Sequence, residues 1–83
     1  MQNRYVDYCK YLVLGLCQES SNLSVVKSVD EQGVLLMING VAKDDMRNVI
    51  GRAGAHVNAI RLLVKSAGMA EGARVSIKIQ EPL

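Results

Sequence analysis

The residues Gly51-Arg52-Ala53-Gly54 have the composition of a phosphate-binding turn. They join two segments with helical spacing of apolar residues, and the join is too short for a loop with its own structure. Glycine at both ends permits main-chain conformations that a Cβ atom would forbid. The second helix would begin there with unpaired N–H groups and the positive end of its dipole, beside the guanidinium of Arg52. This pattern predicts non-covalent binding of an anion such as a nucleic-acid phosphate.

The charge distribution agrees with a polyanion near this turn. Residues 43–67 contain five basic and two acidic side chains, a net +3, whereas the rest of the chain contains five basic and six acidic ones, a net −1. The protein's overall charge of +2 would by itself say little about a partner. A solvated helix face gives similar counts, so the charge pattern supports the prediction without deciding it.

Catalysis, metals and cofactors find little support in the other reactive side chains. His56 is the single histidine, and no nucleophile or carboxylate pair accompanies it at a useful spacing, so we expect no enzymatic activity. Cys9 and Cys17 are predicted to lie on one helix about 12 Å apart, too far to pair, and are interpreted as small apolar core groups. We therefore expect neither a metal nor a cofactor.

One apolar run near the N-terminus raises the question of a membrane or secretory segment. The run covers residues 11–16, far short of the roughly 20 residues that a membrane span needs. Asp7 and Lys10 adjoin it, and Leu16 is not the small residue expected before a processing site. The sequence predicts a cytoplasmic protein without a membrane partner.

The first half of the chain is predicted to form a helix and two strands. Apolar residues recur at helical spacing over residues 3–18, although Gly15 weakens the helix near its end. Residues 23–29 are rich in β-branched side chains, residues 30–33 form a turn, and residues 34–38 are an apolar run of strand length.

The second half is predicted to form two helices around the glycine turn and a last strand. We expect Asp44 to cap the first of these helices and Gly68 to end the second. The buried stripe of the second helix is expected to contain Val57, Ile60, Leu63, Val64 and Ala67. Strict alternation over residues 74–80 predicts a half-buried strand. The 83 residues are thus expected to form one α+β domain with three strands and with three helices on one face.

The turn and its flanks resemble the signature of the KH domain, a single-stranded RNA-binding module. The resemblance rests on Val49-Ile50-Gly51-Arg52-Ala53-Gly54, followed by Val57 and Ile60. The element order αββααβ is similar to the type II, prokaryotic arrangement with a three-stranded mixed sheet. Over nearly its whole length the chain is similar to small bacterial KhpA-type KH proteins, and the specific part is residues 49–60.

The resemblance implies a site in which the GXXG turn holds the RNA backbone and an apolar groove holds about four bases. It also implies a post-transcriptional regulator or a factor like an RNA chaperone, a homodimer, and a larger KH-containing protein partner. The residues that we expect to contact RNA are Gly51, Arg52, Ala53, Gly54, Ile50, Val57, Asn58, Arg61, Arg47 and Lys65, with the strand at residues 75–79 on the groove wall.

Two features of the sequence bear on the strength and mode of this binding. Members of the family often carry a polar residue where this chain has Ala53, so we expect binding without high affinity. The chain has no Phe or Trp, and Tyr5, Tyr8 and Tyr11 all fall in the first predicted helix. Stacking of bases on aromatic rings is therefore not expected to be the main mode of recognition.

Two other functions remain open from the sequence. A helix-turn-helix protein would insert the helix after the turn into the major groove of duplex DNA. The start of this helix offers only Ala55, His56 and Asn58 for contacts with bases. Alternatively, a KH-like fold could serve as a dimerisation or protein-interaction module without binding RNA.

Overall fold

The computed structural model describes residues 4–20 and 22–81 as three helices and three strands. The helices are α1 (Arg4–Leu14), α2 (Lys43–Ile50) and α3 (Ala55–Ala70), and the strands are β1 (Ser24–Asp30), β2 (Gly33–Asn39) and β3 (Val75–Ile79). One turn of 3₁₀-helix (Arg52–Gly54) separates α2 from α3. This order confirms the predicted αββααβ arrangement and the α+β class of a type II KH fold.

The three strands form one mixed sheet in the order β1-β2-β3. β1 and β2 are antiparallel, with Val25 opposite Ile38, while β2 and β3 are parallel, with Leu36 opposite Ile77. Because β3 has a partner on one side only, the polar main-chain groups on its outer side are not used by the sheet. The connection from β2 to β3 runs through α2, the 3₁₀ turn and α3, so the sheet anchors both ends of the predicted phosphate-binding segment.

The core lies between the helices and one face of the sheet. Alternate residues Val34, Leu36 and Ile38 of β2 are buried, which accounts for the apolar run that predicted this strand. On α3 the predicted stripe is confirmed at Val57, Ile60 and Val64, which are all buried, and Ile60 and Val64 belong to this core. The expectation for Leu63 is wrong, because 44% of its surface is exposed.

The first helix is shorter than predicted and ends at Leu14. Beyond it, the main-chain N–H groups of Gln18 and Glu19 each donate to the Asp45 carboxylate at 2.8 Å, and the Ser20 hydroxyl donates to it at 2.7 Å. These bonds draw the chain away from the helical path, so Cys17 lies outside α1. The prediction that both cysteines lie on one helix is therefore wrong. Cys17 is half-buried and Cys9 is fully buried, and both are free thiols.

The first turn of α2 has no aspartate cap. The helix begins at Lys43 after Ala42, and no side chain caps its first turn, so the prediction for Asp44 is wrong. Instead, the Ser20 hydroxyl accepts the Ala42 N–H at 2.8 Å while it donates to Asp45. The segment after α1 thereby supplies the polar contacts at the start of α2.

The end of α3 also differs from the prediction, because Gly68 lies within the helix. A Cβ atom at Gly68 would lie 2.3 Å from Val75 Cγ2, so glycine is needed there for close packing of α3 on β3. The helix ends two residues later at Ala70, and Gly72, which has φ +76°, follows the C-cap residue Glu71. The Ala73 N–H donates to the Gly68 carbonyl at 2.8 Å and the Gly72 N–H to the Met69 carbonyl at 3.0 Å, the bonding pattern of a Schellman motif.

No helix within the described part of the chain has the length and apolar character needed to cross a membrane.

Candidate nucleic-acid interface

The turn between α2 and α3 has an unusual main-chain conformation at three of its four residues. Gly51 has φ +78° and ψ 169°, and Gly54 has φ +78° and ψ 15°. Between them Ala53 has φ +54°, the one described residue other than glycine with a positive φ. Positive φ is costly for a residue with a Cβ atom, so the alanine is held there by the geometry of the corner.

Gly51 lets the two helices approach each other closely. A Cβ atom at this position would lie 2.7 Å from both the ring Cγ and the main-chain nitrogen of His56. The His56 ring reaches back across the corner, and its Nδ1 forms a hydrogen bond with the Asn48 carbonyl of α2. The first residues of α3 are thus fixed against the last turn of α2.

The middle of the turn is exposed and leaves main-chain donors available. Gly51 N–H donates to the Arg47 carbonyl at 2.8 Å and Gly54 N–H to the Gly51 carbonyl at 3.1 Å. The N–H groups of Arg52 and Ala53 take no part in the turn's own hydrogen bonds among the described residues, and both side chains are exposed. Free N–H groups beside a guanidinium at the start of a helix form an anion-binding arrangement.

One open cleft lies on the α2 side of the turn. It has a volume of about 500 Å³ and is lined by Arg47, Arg52, Asn48, His56, Gly51 and Asp44. The cleft brings together three of the predicted contact residues, Arg47, Gly51 and Arg52. Asp44 is the acidic group on its wall, so the cleft carries charges of both signs with an excess of positive charge.

A second cleft lies between α3 and the outer edge of β3. It has a volume of about 290 Å³ and is lined by Arg61, Lys65, Val75, Ser76 and Ile77. Arg61 Nη1 donates to Asn58 Oδ1 at 3.2 Å, which orients the guanidinium along the exposed face of α3. Three of the predicted RNA contacts, Asn58, Arg61 and Lys65, are exposed, and Arg61 and Lys65 line the groove that the resemblance implies.

The predicted apolar wall of this groove contributes less surface than expected. Val57 is 7% exposed, and Ile50 is half-buried. Val75 and Ile77 are buried as well, so the side chains of β3 that point outward are Ser76 and Lys78. The open groove is lined by cationic side chains and by the free main-chain edge of β3.

Two residues of the site were not identified as site residues from the sequence. Asn48 lines the α2 cleft and its amide Nδ2 donates to the Leu16 carbonyl at 2.9 Å, and His56 bridges the two helices. Both contacts join segments that are distant along the chain or lie on opposite sides of a corner. Helical periodicity describes one helix at a time and therefore gives no signal for them.

The Asp45 carboxylate, although close in sequence to the turn, adds little to its electrostatics. It is 4% exposed and faces the segment after α1. The hydrogen bond from the Gln18 N–H, followed by that from the Ser20 hydroxyl, lowers the pKa of Asp45, and so the group is ionised and internally paired. Within residues 4–20 and 22–81, no cluster of three or more His, Cys, Asp or Glu side chains is suited to a metal ion.

Comparison with known proteins gives a family for this architecture. The family model described as KhpA/KhpB, KH domain, matches residues 7–79. A curated relative from Clostridium acetobutylicum, named RNA-binding protein KhpA, is 36% identical over 63 residues, which is 76% of this chain and 80% of the relative. No solved structure gives a significant match. The turn, the mixed sheet and these matches agree, and the chain belongs to the KhpA/KhpB family of KH domains.

Proposed function

We propose that this protein binds single-stranded RNA without catalysing a reaction on it. The observation that carries the proposal is the exposed turn at residues 51–54, which presents two free N–H groups and the Arg52 side chain between two helices. The name of the Clostridium relative, an RNA-binding protein, supports the same function. In the proposed complex the turn holds phosphates of the RNA backbone.

The bases lie in the groove between α3 and β3, which accommodates about four nucleotides in KH domains. Arg61 and Lys65 border this groove and neutralise phosphates on its outer side. The unpaired edge of β3 supplies main-chain donors and acceptors to base edges. Because the groove has no aromatic side chain, hydrogen bonds and phosphate contacts supply most of the affinity.

Two local contacts favour this proposal over a helix-turn-helix DNA reader. In the first turns of α3, the His56 ring is bonded to the Asn48 carbonyl and the Asn58 side chain accepts from Arg61. A recognition helix needs such side chains free to meet base edges. Ala55 offers only a methyl group, so α3 presents few free groups to a major groove.

Binding of labelled oligonucleotides, followed by fluorescence anisotropy over a range of salt, tests the proposed function. Single-stranded RNA is expected to bind more tightly than duplex DNA. If two or three phosphates are neutralised, log affinity falls with log salt at a slope of roughly −1.4 to −2.1. Tighter binding to duplex DNA would indicate the helix-turn-helix function. Binding to neither nucleic acid would favour the alternative that the protein is a protein-interaction module.

We further propose that the protein self-associates through apolar side chains on α1 and α3. These two helices pack against each other. Outside their contact, Tyr11 is 75% exposed on α1 and Leu62 is 66% exposed on α3, so apolar surface remains for a second copy. Sedimentation velocity is expected to show a dimer that Leu62→Ser weakens, whereas a monomer at all accessible concentrations would contradict the proposal.

Two broader roles complete the proposed function. The matching family model covers both KhpA and KhpB, which supports a larger KH-containing protein as a second partner. The cellular role that fits a small RNA binder of modest affinity is that of a post-transcriptional regulator or a factor like an RNA chaperone. Cross-linking the protein to RNA in its own cell and sequencing the bound fragments tests this role.

A further inference from the structure

A third open cleft continues the α3–β3 groove away from the glycine turn. It has a volume of about 460 Å³ and is lined by Lys65, Met69, Gly72, Ala73 and Arg74. Lys65 lines both this cleft and the groove, and Arg74 immediately precedes the strand residue Val75 of the groove. The two depressions therefore adjoin at Lys65 and follow one another along α3.

The space in this cleft results from the way in which α3 ends. The Schellman motif at Gly72 reverses the chain after Met69 and returns it to β3 through Ala73. A Cβ atom at Gly72 would meet no heavy atom within 4 Å, so the floor of the cleft is open and formed by small residues. The two larger side chains, Met69 and Arg74, are left on its walls.

The walls combine the two kinds of group that a nucleotide needs. Lys65 and Arg74 are exposed, and neither is in an ion pair within the described part of the chain. Met69 is 66% exposed, an unusual position for a long apolar side chain on a helix. A cation can neutralise a phosphate, and a thioether packs well against the face of a base.

The third cleft lies farther from the glycine turn than the residues of the groove do. Along the axis of α3, Lys65 lies about 17 Å and Met69 about 23 Å from Gly54, from a rise of about 1.5 Å per residue. Beyond Arg74 the next cleft is lined by Glu31 together with Val29 and Gln32, so the cationic path ends there. A bound RNA strand would leave the protein surface at this point.

We propose that the cleft between Met69 and Arg74 is an accessory subsite for single-stranded RNA, occupied by nucleotides beyond those in the groove. Arg74 neutralises a phosphate of this extension and Met69 packs against one of its bases. The subsite rests on the proposed function, since RNA in the groove delivers the extension to the cleft. The subsite therefore makes the affinity for RNA depend on the length of the RNA.

The test compares labelled oligoribonucleotides of random sequence with lengths of about four and about eight residues, chosen from the groove's capacity. Wild-type protein is expected to bind the longer RNA more tightly. Arg74→Ser is expected to weaken only the longer RNA, by about 5-fold at 0.1 M salt, and to make its salt slope shallower by about 0.7, the contribution of one phosphate. Met69→Ser is expected to weaken the longer RNA without changing the slope.

Lys10→Ser serves as the matched control, because it removes an exposed cation from α1 that does not line the cleft. Equal affinity of wild type for both lengths, or equal weakening of both lengths by Arg74→Ser, would overturn the subsite while leaving the proposed function intact. An equal effect of Lys10→Ser on the longer RNA would overturn it as well, since the gain would then come from overall charge. Failure of the wild type to bind RNA of either length would overturn both proposals.

Discussion

Reversing the charge of the glycine turn is the perturbation with the largest predicted effect on RNA binding. The variant carries Arg52→Asp and Ala53→Asp, which together change the charge by three units and bring residues 43–67 from +3 to zero. Both positions are exposed. Aspartate tolerates the positive φ of +54° found at Ala53, so the fold is expected to keep its free energy of unfolding within about 0.5 kcal/mol.

The expected loss of affinity has two parts. Removal of one phosphate contact with a salt slope of about 0.7 corresponds to roughly 5-fold at 0.1 M salt relative to 1 M. Two carboxylates at about 6 Å from a phosphate each cost about 0.7 kcal/mol in water, and together they weaken binding roughly 10-fold before screening. We therefore expect Kd to rise between about 10-fold and 50-fold.

Fluorescence anisotropy with a short single-stranded RNA at 0.1 M salt measures this loss, and thermal denaturation followed by circular dichroism checks the fold. A control with the same change in total charge, Lys10→Glu with Gln32→Glu, places the new carboxylates on exposed positions away from the turn. The control is expected to change Kd by less than the turn variant. A folded turn variant that binds as tightly as wild type would refute the role of the turn.

Three further predictions concern packing, ionisation and thiol reactivity. Gly68→Ala is expected to lower the free energy of unfolding, measured in urea, by about 1 to 2 kcal/mol, because the new Cβ atom would clash with Val75 Cγ2. This cost exceeds the gain in helix propensity, and an unchanged unfolding midpoint would contradict the packing of α3 on β3. Because hydrogen bonds lower the pKa of Asp45, its contribution to stability is present near neutral pH and is lost as pH falls below about 4. The difference in stability between wild type and Asp45→Asn should therefore shrink on acidification, and a difference independent of pH would contradict the lowered pKa of Asp45. Burial raises the pKa of the Cys9 thiol to about 11, so an alkylating reagent is expected to modify the half-buried Cys17 first. Mass spectrometry of the digested protein would show the order of modification, and modification of Cys9 before Cys17 would contradict the burial of Cys9.

The order of elements and the glycine corner could be predicted from the sequence because their signals are local. Alternation in β3 and helical spacing on α3 follow directly from which side chains are buried. The helix ends were predicted less well. At Gly68 the glycine serves contact with Val75 on a strand, a tertiary requirement that looks like a helix terminus when the sequence alone is read.

The parts of the site that could not be predicted depend on contacts between distant segments. Asp45 had no predicted role beyond its charge, and the structure shows that it binds main-chain groups 26 and 27 residues earlier in the chain. Val57 was assigned to the groove on its place in the family pattern, yet it is buried. The cationic face of Arg61 and Lys65 was predicted, whereas its continuation to Arg74 needed the relative positions of α3 and β3.

The most direct test of the central claim is a titration of ¹⁵N-labelled protein with short single-stranded RNA, followed by amide chemical shifts. The account predicts the largest changes at the main-chain N–H groups of Arg52 and Ala53, with further changes along α3 at Arg61 and Lys65 and along the edge of β3. Saturable binding that shifts the amides of β1 or α1 and leaves those of the turn unchanged would contradict it.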